Sequence, residues 1–414
     1  MMSQIEQGWG GDPSPRYNDL ANRFRPLFKQ IREGAVDRER ARKLPLDEIK
    51  ALKALGFGAV RVPASAGGAG ASLPELVALL IELSQADSNL TQGLRGHFGF
   101  SEDVIYSTDA ARKALWFPRL VRGDIVGNAW SEIGEARTTA FSTKVTRGGE
   151  GLRLNGEKYY TTGSYYADWI DVGSSDEDGK GFGATVARDA AGVLVVDDWD
   201  GFGQTLTVSG TATFRDVAVD PAHVVRDESR PKYFPAFFQL VHLATLAGIG
   251  RAASNDVARL VAERRRTYTH ANGPRASQDP QVLQVVGRVR GAAYAAGAVV
   301  LRSAEAVQRV ADAHQLGNAE AEDHAVAIAE LEVSQALTVV STLVLDSLTL
   351  LFDALGASAV SRQHSLDRYW RNARTLASHN PRIYKDRIVG DFAVNGTLPP
   401  PQWRIGLPEP QVKA

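Results

Sequence analysis

The sequence contains no cysteine among its 414 residues. This absence excludes disulfide bonds, thiolate metal ligands and a cysteine nucleophile, and it fits a reducing compartment. An excess of either charge is also missing, because 47 Lys and Arg residues balance 48 Asp and Glu residues. The formal net charge of -1 provides no field that would hold nucleic acid or an anionic membrane.

Long uninterrupted apolar runs are missing as well. The N-terminal stretch is polar and lacks the apolar core of a signal peptide. The most apolar window, residues 336–352, is interrupted by Ser341, Asp346 and Thr349. A membrane span needs about 20 mostly apolar residues, so this window predicts a buried helix instead. We therefore expect a cytoplasmic protein without a membrane partner.

Common motifs for metals, nucleotides and nucleophilic catalysis are absent too. The eight histidines include no HxxxH pair with a nearby carboxylate, so no metal site is expected. No GxGxxG follows a predicted strand, which makes a nicotinamide-binding Rossmann site improbable. The chain also lacks a GxSxG nucleophile elbow.

Three zones of different periodicity predict the fold. Residues 17–123 have apolar residues at helical spacing, which predicts an N-terminal helical domain. Residues 124–228 contain short β-branched segments between Gly and Asp turns, typical of a small sheet or barrel. Residues 229–400 return to helical spacing and are long enough for a four-helix bundle. The expected fold class is α+β, mostly α.

Polar and aromatic side chains recur together in five stretches of the chain. These stretches are GLRGHFGFSED with His97, GNAWSE with Asn128 and Ser131, NGEKYYTTGSYYADW with Thr162 and Ser164, DDWDGFGQ with Trp199, and RTLASHNP with His379. Aromatic planes with hydroxyl and amide donors suit a flat heterocycle such as an isoalloxazine ring.

Each stretch also has a purely structural interpretation. His97 would then be a core histidine with satisfied hydrogen bonds, and YYTTGSYY would be only a strand and a turn. His379 would be a favourable partner for the negative end of a helix. Residues alone leave these alternatives open.

In this order, the stretches resemble the acyl-CoA dehydrogenase superfamily over roughly residues 18–400. GNAWSE stands where that family has Ala-x-Thr-Glu-Pro-Gly, and NGEKYYTTG resembles its Asn-Gly-x-Lys-x-(Trp/Tyr)-x-Thr-Asn-Gly segment. RNAR resembles its Arg-Asp-Ala-Arg segment, after which many members carry a catalytic glutamate. When RNAR is aligned with that segment, Asn380 falls at the position of the glutamate. An amide cannot accept the substrate proton, so the usual base of a dehydrogenase is missing there.

One branch of the superfamily is more similar, the two-component flavin monooxygenases that include dibenzothiophene monooxygenase. Its RNxRTxxxHxP segment resembles RNARTLASHNP, and a histidine in its helical N-terminal domain matches His97. Some members have a second histidine where this chain has Leu376. The resemblance implies FMN, bound as FMNH2, with FAD as a possible substitute. It also implies a separate NAD(P)H:flavin reductase, O2 as co-substrate, a flavin 4a-hydroperoxide and a homotetramer.

The resemblance also implies roles for individual residues. His379 is expected to protonate or orient the distal peroxy oxygen, with His97 and Ser164 as companion donors. The expected flavin contacts are Asn128, Ser131, Thr162 and Ser164 at the ring edge, Trp199 against the ring, Arg265 and Arg275 toward a phosphate on a neighbouring subunit, and Ser358.

The expected reaction is oxygenation of a small, uncharged or weakly charged substrate with a nucleophilic heteroatom. An organosulfur compound is the first candidate, because an electrophilic hydroperoxide suits soft sulfur. N-hydroxylation of an amine is the second candidate. An FAD-dependent acyl-CoA dehydrogenase and a catalytically inactive interaction protein stay open as alternatives.

Overall fold

The computed structural model describes residues 8–133, 141–149, 151–226 and 229–400. Its N-terminal part is helical, as the periodicity predicts. The helices are α1 Tyr17–Asn22, α2 Arg25–Ala41, α3 Leu46–Ala54, α4 Leu73–Ala86, α5 Ser88–Gly93, α6 Arg95–Tyr106 and α7 Ala110–Arg122. α4 begins with a capping box, in which Ser72 Oγ accepts from the Glu75 amide and Glu75 Oε2 accepts from the Ser72 amide. These bonds satisfy backbone donors that a helix start otherwise leaves free.

The central zone forms one mixed sheet. Its strands are β1 Val126–Ala129, β2 Lys144–Gly148, β3 Gly151–Lys158, β4 Trp169–Ser175, β5 Gly181–Ala187, β6 Val193–Val195, β7 Ala212–Val219 and β8 Val224–Arg226. The strand order is β6-β7-β3-β2-β4-β5-β8, and β1 pairs with β4 in parallel. β3 is bulged near Gly156, whose backbone is in the left-handed region and packs against Thr143.

The C-terminal part is the predicted helix bundle. It contains the long helices α8 Phe234–Glu263, α9 Pro280–Gln315 and α10 Ala319–Leu350, followed by the short helices α11 Asp367–Ala377 and α12 Ile383–Asn395. By length and composition alone, α8 and residues 319–354 could each cross a membrane, but 94% of the apolar window of α8 is buried inside the protein. The predicted mostly helical α+β class with a central sheet is confirmed.

One hydrophobic core joins the N-terminal helices to the bundle. It contains Phe57, Leu80 and Leu246, all without exposed surface. α4 crosses α8 closely, because Gly248 leaves room for Ser84, whose Oγ donates to the Thr245 carbonyl at 2.7 Å. The three zones differ in the type of secondary structure, but this core extends across the first and the third zone. The division into three separate domains therefore stays a prediction.

A buried ion pair ties α6 to the start of α8. Glu102, which is fully buried, accepts from Arg61 Nε at 2.6 Å and from Arg61 Nη2 at 2.9 Å. The Tyr233 hydroxyl, one residue before α8, donates to the same carboxylate at 2.9 Å.

We predict that Glu102→Gln lowers the free energy of unfolding by about 3–5 kcal/mol, because it leaves the Arg61 charge buried without its counter-charge. Urea unfolding followed by circular dichroism measures this loss. The control is Glu305→Gln, which breaks an exposed pair with Arg302 on α9 and is expected to cost less than about 1 kcal/mol. Equal losses in the two variants would contradict the prediction.

Candidate active site

Two other parts of the chain lie close to His379, which follows α11. They are the first half of α8, whose His242 ring contacts the His379 ring, and the start of α6, where Arg95 lies. The end of β1 lies against α6 at Gly96, and the loop after β3 bonds to the end of β1. More than a third of the His379 surface is solvent-accessible, yet burial lowers its pKa to about 3. The two properties fit a side chain in a cavity that is surrounded by protein and open to solvent. This cavity is the candidate active site.

The His379 ring faces a second histidine that sequence reasoning missed. The ring of His242, in α8, lies with its centroid 4.4 Å from that of His379. His242 is buried, and its Nε2 has no hydrogen-bond partner among the described residues. Burial, followed by the nearby Arg95 charge, lowers the pKa of both histidines. Both rings are therefore neutral at pH 7, and each offers one N–H donor and one acceptor.

Arg95, the first residue of α6, supplies the charge in this cavity. Its Nε donates to the Phe238 carbonyl at 3.2 Å, and its guanidinium carbon lies 4.6 Å from the Phe238 ring centroid. The absence of a side chain at Gly99 lets this ring pack against α6. Burial lowers the pKa of Arg95 to about 9, so the side chain is still a cation at pH 7. In the described parts of the chain it has no carboxylate partner.

Asn128 and Ser164 lie together beside α6, as the sequence predicts for two groups of one site. Ser164 Oγ donates to the Asn128 carbonyl at 3.0 Å. The Asn128 Oδ1 atom is buried without a hydrogen-bond partner among the described residues. A Cβ at Gly96 would lie 2.5 Å from this oxygen, so α6 can approach β1 only because residue 96 is glycine.

A chain of hydroxyl groups connects Thr162 to α11. Thr162 Oγ1 and Thr207 Oγ1 each lie 2.7 Å from Ser209 Oγ. Thr207 Oγ1 donates to the Gln204 carbonyl at 2.8 Å, and the Gln204 amide donates to Asn372 Oδ1 at 2.6 Å. The loop between β6 and β7 therefore holds the helix that leads to His379. The RNAR motif marks Asn372, but no local pattern marks Ser209 or Thr207.

Trp199 and Ser131 lie at the more exposed rim formed by the end of β3. Trp199 Nε1 donates to the Gly203 carbonyl at 3.2 Å, and its ring meets that of Tyr160 edge-on at 6.1 Å. The Ser131 carbonyl accepts from the Tyr159 amide at 2.9 Å. Both side chains are partly exposed, and their predicted contacts with flavin stay predictions.

His97 makes hydrogen bonds through both ring nitrogens. Its Nε2 donates to the Gly58 carbonyl at 2.8 Å, and its Nδ1 accepts from the Val126 amide at 3.2 Å. No ring nitrogen is left for a ligand, and burial lowers its pKa to about 4. This geometry favours the core-histidine interpretation over the expected role as a companion donor.

A buried ion pair fixes the strand ends that carry the site. Lys158 Nζ lies 2.6 Å from Glu132 Oε1 and 3.8 Å from the Phe141 ring centroid. Burial lowers the pKa of Lys158 to about 8. Burial opposes ionisation of Glu132, yet Lys158 and two backbone amides lower its pKa to about 2. The lysine of NGEK and the glutamate of GNAWSE thus form a structural ion pair that the sequence did not predict.

Arg265, Arg275 and Ser358 lie on the surface, beyond the far end of α8. From His242 to the end of α8 at Glu263 the helix extends about 32 Å. These three side chains therefore do not share the cavity of His379 in one chain. Their predicted contact with a flavin phosphate requires a neighbouring subunit and stays a prediction.

Two buried polar atoms near α6 and His379 have no partner among the described residues. They are Asn128 Oδ1, next to Gly96, and His242 Nε2, whose ring contacts that of His379. Buried polar atoms are nearly always hydrogen-bonded, so these two atoms are candidates for contact with a polar ligand. Amide and imidazole groups of this kind fit the edge of a flavin ring. Within the described ranges no group of three His, Asp or Glu side chains could hold a metal ion.

We predict that His97 makes the protein sensitive to acid. Its folded-state pKa of about 4 lies below its ordinary value of 6.5. Between these values the unfolded chain binds the extra proton, so stability falls as pH falls. From pH 6.5 to pH 5 this linkage removes about 2 kcal/mol from the free energy of unfolding.

Urea unfolding at pH 7 and at pH 5 tests this prediction. The stability loss on acidification is expected to be about 2 kcal/mol smaller in His97→Asn than in the wild type. The exposed His324 provides the control, and His324→Asn is expected to lose as much as the wild type. Parallel losses in the wild type and His97→Asn would refute the assignment.

Comparison with known proteins identifies the family. The models of the acyl-CoA dehydrogenase N-terminal and C-terminal domains match residues 19–124 and 240–381. A dibenzothiophene monooxygenase from Rhodococcus erythropolis is 27% identical, over 93% of this chain and 95% of that protein. A probable FMNH2-dependent monooxygenase, SfnC from Pseudomonas putida, is 27% identical over 92% of this chain and 95% of that protein.

Solved structures give the same result. FMN-bound TdsC from Paenibacillus sp. A11-2, a dibenzothiophene monooxygenase, superposes with a TM-score of 0.83 and 29% identity, over 94% of this chain and 99% of that chain. Methanesulfinate monooxygenase MsuC from Pseudomonas fluorescens gives a TM-score of 0.82 and 25% identity, over 94% and 99% of the two chains. The chain belongs to the acyl-CoA dehydrogenase superfamily, and these relatives, matched over nearly its whole length, are monooxygenases.

Proposed function

We propose that the chain is an FMNH2-dependent monooxygenase that oxygenates a small organosulfur compound with O2. A separate NAD(P)H:flavin reductase would supply the reduced flavin, since the chain has no nicotinamide-binding motif. The observation that carries the proposal is the pair of neutral imidazoles of His379 and His242, which lie together with no described carboxylate among the groups that act on them.

The missing base weighs against an acyl-CoA dehydrogenase. The groups that change the pKa of His379 and His242 include Arg95 and Asn380 but no described carboxylate. Glu263, the nearest upstream acid in the first bundle helix, pairs with Arg259 at the exposed end of α8. Abstraction of a proton α to a thioester needs a base within hydrogen-bond reach of the substrate.

Reduced flavin, when bound, supplies the electrons that activate O2, and the 4a-hydroperoxide route belongs to this proposal. Asn128, Thr162 and Gln204 would hold the polar edge of the ring. The bound flavin and substrate would displace water from the cavity, and Phe238 with the glycines of α6 would close one side of it, since oxygen transfer requires a dry site. His379 would orient the reacting oxygen through a hydrogen bond, because its low pKa leaves it without a permanent positive charge.

N-hydroxylation of an amine ranks second. A protonated amine carries a positive charge, and the Arg95 cation in the same cavity would repel it. A sulfur compound meets no such repulsion.

We also propose that the protein assembles into a homotetramer. Exposed apolar side chains lie on the outer faces of the bundle, among them Leu283 and Tyr294 of α9 and Val339 of α10. Burial of such side chains between subunits is favourable. A second subunit would also be needed for Arg265 or Arg275 to reach the flavin phosphate.

We predict that His379→Ala lowers the rate of product formation by about 10²–10⁴-fold, because the oxygen-orienting hydrogen bond is lost. The assay supplies FMNH2 from a flavin reductase in aerated buffer and quantifies the oxygenated sulfur product. Binding of FMN, measured by quenching of flavin fluorescence, is expected to change little, since other residues hold the ring.

The control is His324→Ala, which removes an exposed histidine from α10 and is expected to keep wild-type activity. Unchanged product formation in His379→Ala would contradict the role of this residue. Anaerobic reduction of bound FAD by an acyl-CoA would contradict the proposed reaction and favour a dehydrogenase.

A further inference from the structure

Arg95 is a cation inside a cavity where the described chain offers no anion to pair with it. Its one described hydrogen bond is the contact of Nε with the Phe238 carbonyl. The two terminal nitrogens are not among the buried atoms that lack partners, so they remain accessible from the cavity. A cation held in a partly dry space is costly unless a ligand or another group compensates the charge.

Several buried cations of the described chain have a built-in carboxylate partner, which Arg95 lacks. Arg61 is paired with Glu102, and Arg112 is paired with Asp103. Lys158, at the edge of the site, is paired with Glu132. The absence of such a carboxylate leaves the Arg95 charge available to an anion from outside the chain.

A second observation points to a ligand at the same place. His242 is buried with Nε2 unpartnered, and its ring lies 4.4 Å from that of His379 at an interplanar angle of 57°. Arg95 Nε donates to the carbonyl of Phe238, which lies one turn before His242 on α8, so Arg95 lies close to the two histidines. Guanidinium and imidazole N–H groups together form a donor set for an oxyanion.

We propose that the substrate is an organic sulfinate, R–SO2⁻, whose two oxygens bind the terminal nitrogens of Arg95 beside His242 and His379. This inference rests on the proposed monooxygenase function and narrows its substrate class. It differs from the uncharged or weakly charged substrate expected from the sequence. Bidentate binding of the two oxygens leaves the lone pair on sulfur free to react.

The reaction balances with the co-substrates already proposed. R–SO2⁻, O2 and FMNH2 give R–SO3⁻, FMN and H2O. One oxygen atom forms the new S–O bond, and the other leaves as water with the two hydrogens of the reduced flavin. O2 accepts four electrons, two from sulfur and two from the flavin. The negative charge stays on the product, so Arg95 remains compensated through the reaction.

Substrate binding would also change His379. The Arg95 charge is one of the causes that lower the pKa of this histidine, after burial. An anion bound to Arg95 offsets that charge and raises the pKa of His379 from about 3. The protonated form of His379 would then be more populated when the substrate is present.

Binding to the protein without flavin provides the first test. Isothermal titration with methanesulfonate, a non-oxidisable oxyanion of sulfur with the same charge as a sulfinate, is expected to show binding to the wild type. Arg95→Gln should weaken this binding on the order of 10- to 100-fold, the range for loss of a charged hydrogen-bond partner. Arg95→Lys should retain part of it, because the charge stays but the planar fork is lost. Arg147→Gln, at an exposed position of β2, is the matched control and should bind like the wild type.

Turnover provides the second test and separates this inference from the proposed function. With FMNH2 and O2, methanesulfinate should be oxygenated with a kcat/KM that falls on the order of 10- to 100-fold in Arg95→Gln, mainly through KM. Circular dichroism and melting curves confirm that each variant is folded. The sulfinate assignment would be overturned if the wild type did not bind methanesulfonate and if Arg95→Gln oxygenated neutral dibenzothiophene as fast as the wild type. The proposed monooxygenase function would then still hold. If neither compound is oxygenated, the proposed function fails, and the calorimetry still decides whether Arg95 binds an oxyanion.

Discussion

The candidate site depends on the close approach of α6 to the end of β1. A side chain larger than hydrogen is excluded at Gly96, which lies against Asn128, and also nearby at Gly163 in the loop after β3, which lies against the Gly93 backbone just before α6. His97 then fixes the contact through hydrogen bonds to two other backbone segments. Because α6 is held in this position, Arg95 at its first turn borders the same space as the polar groups of the sheet. Wider spacing would admit water, which oxygen transfer does not tolerate.

The zones and the fold class could be predicted from the sequence, because helical and strand periodicities are local properties. The site could be predicted only where the chain resembles known segments, as for Asn128 and His379. Arg95 and His242 were missed for physical reasons. His242 lies within a long apolar run and resembles a core residue, and its neighbour His379 is more than 130 residues away in the chain. Within α6, the resemblance selected His97 as the site residue. Residues two positions apart on a helix point to different faces, and it is Arg95 that borders the cavity.

The electrostatics of the cavity distinguish this chain from a dehydrogenase of the same fold. By its resemblance to the Arg-Asp-Ala-Arg segment, the chain is expected to carry Asn380 in place of the carboxylate, and the Arg95 charge lowers the pKa of two neutral histidines. A base is thus replaced by donors, which suits binding of oxyanions and activated oxygen rather than abstraction of a proton. The scaffold stays the same while the chemistry changes with a few side chains.

The most direct test of this account is to follow the isotope of the transferred oxygen. The protein, a flavin reductase and methanesulfinate are incubated under 18O2, and the sulfonate product is analysed by mass spectrometry. The account predicts a product with one 18O atom, formed at a rate that depends on His379 and Arg95. The account would be contradicted if FMNH2 were oxidised at the rate of free flavin and no product containing 18O formed from methanesulfinate or, in a parallel incubation, from dibenzothiophene.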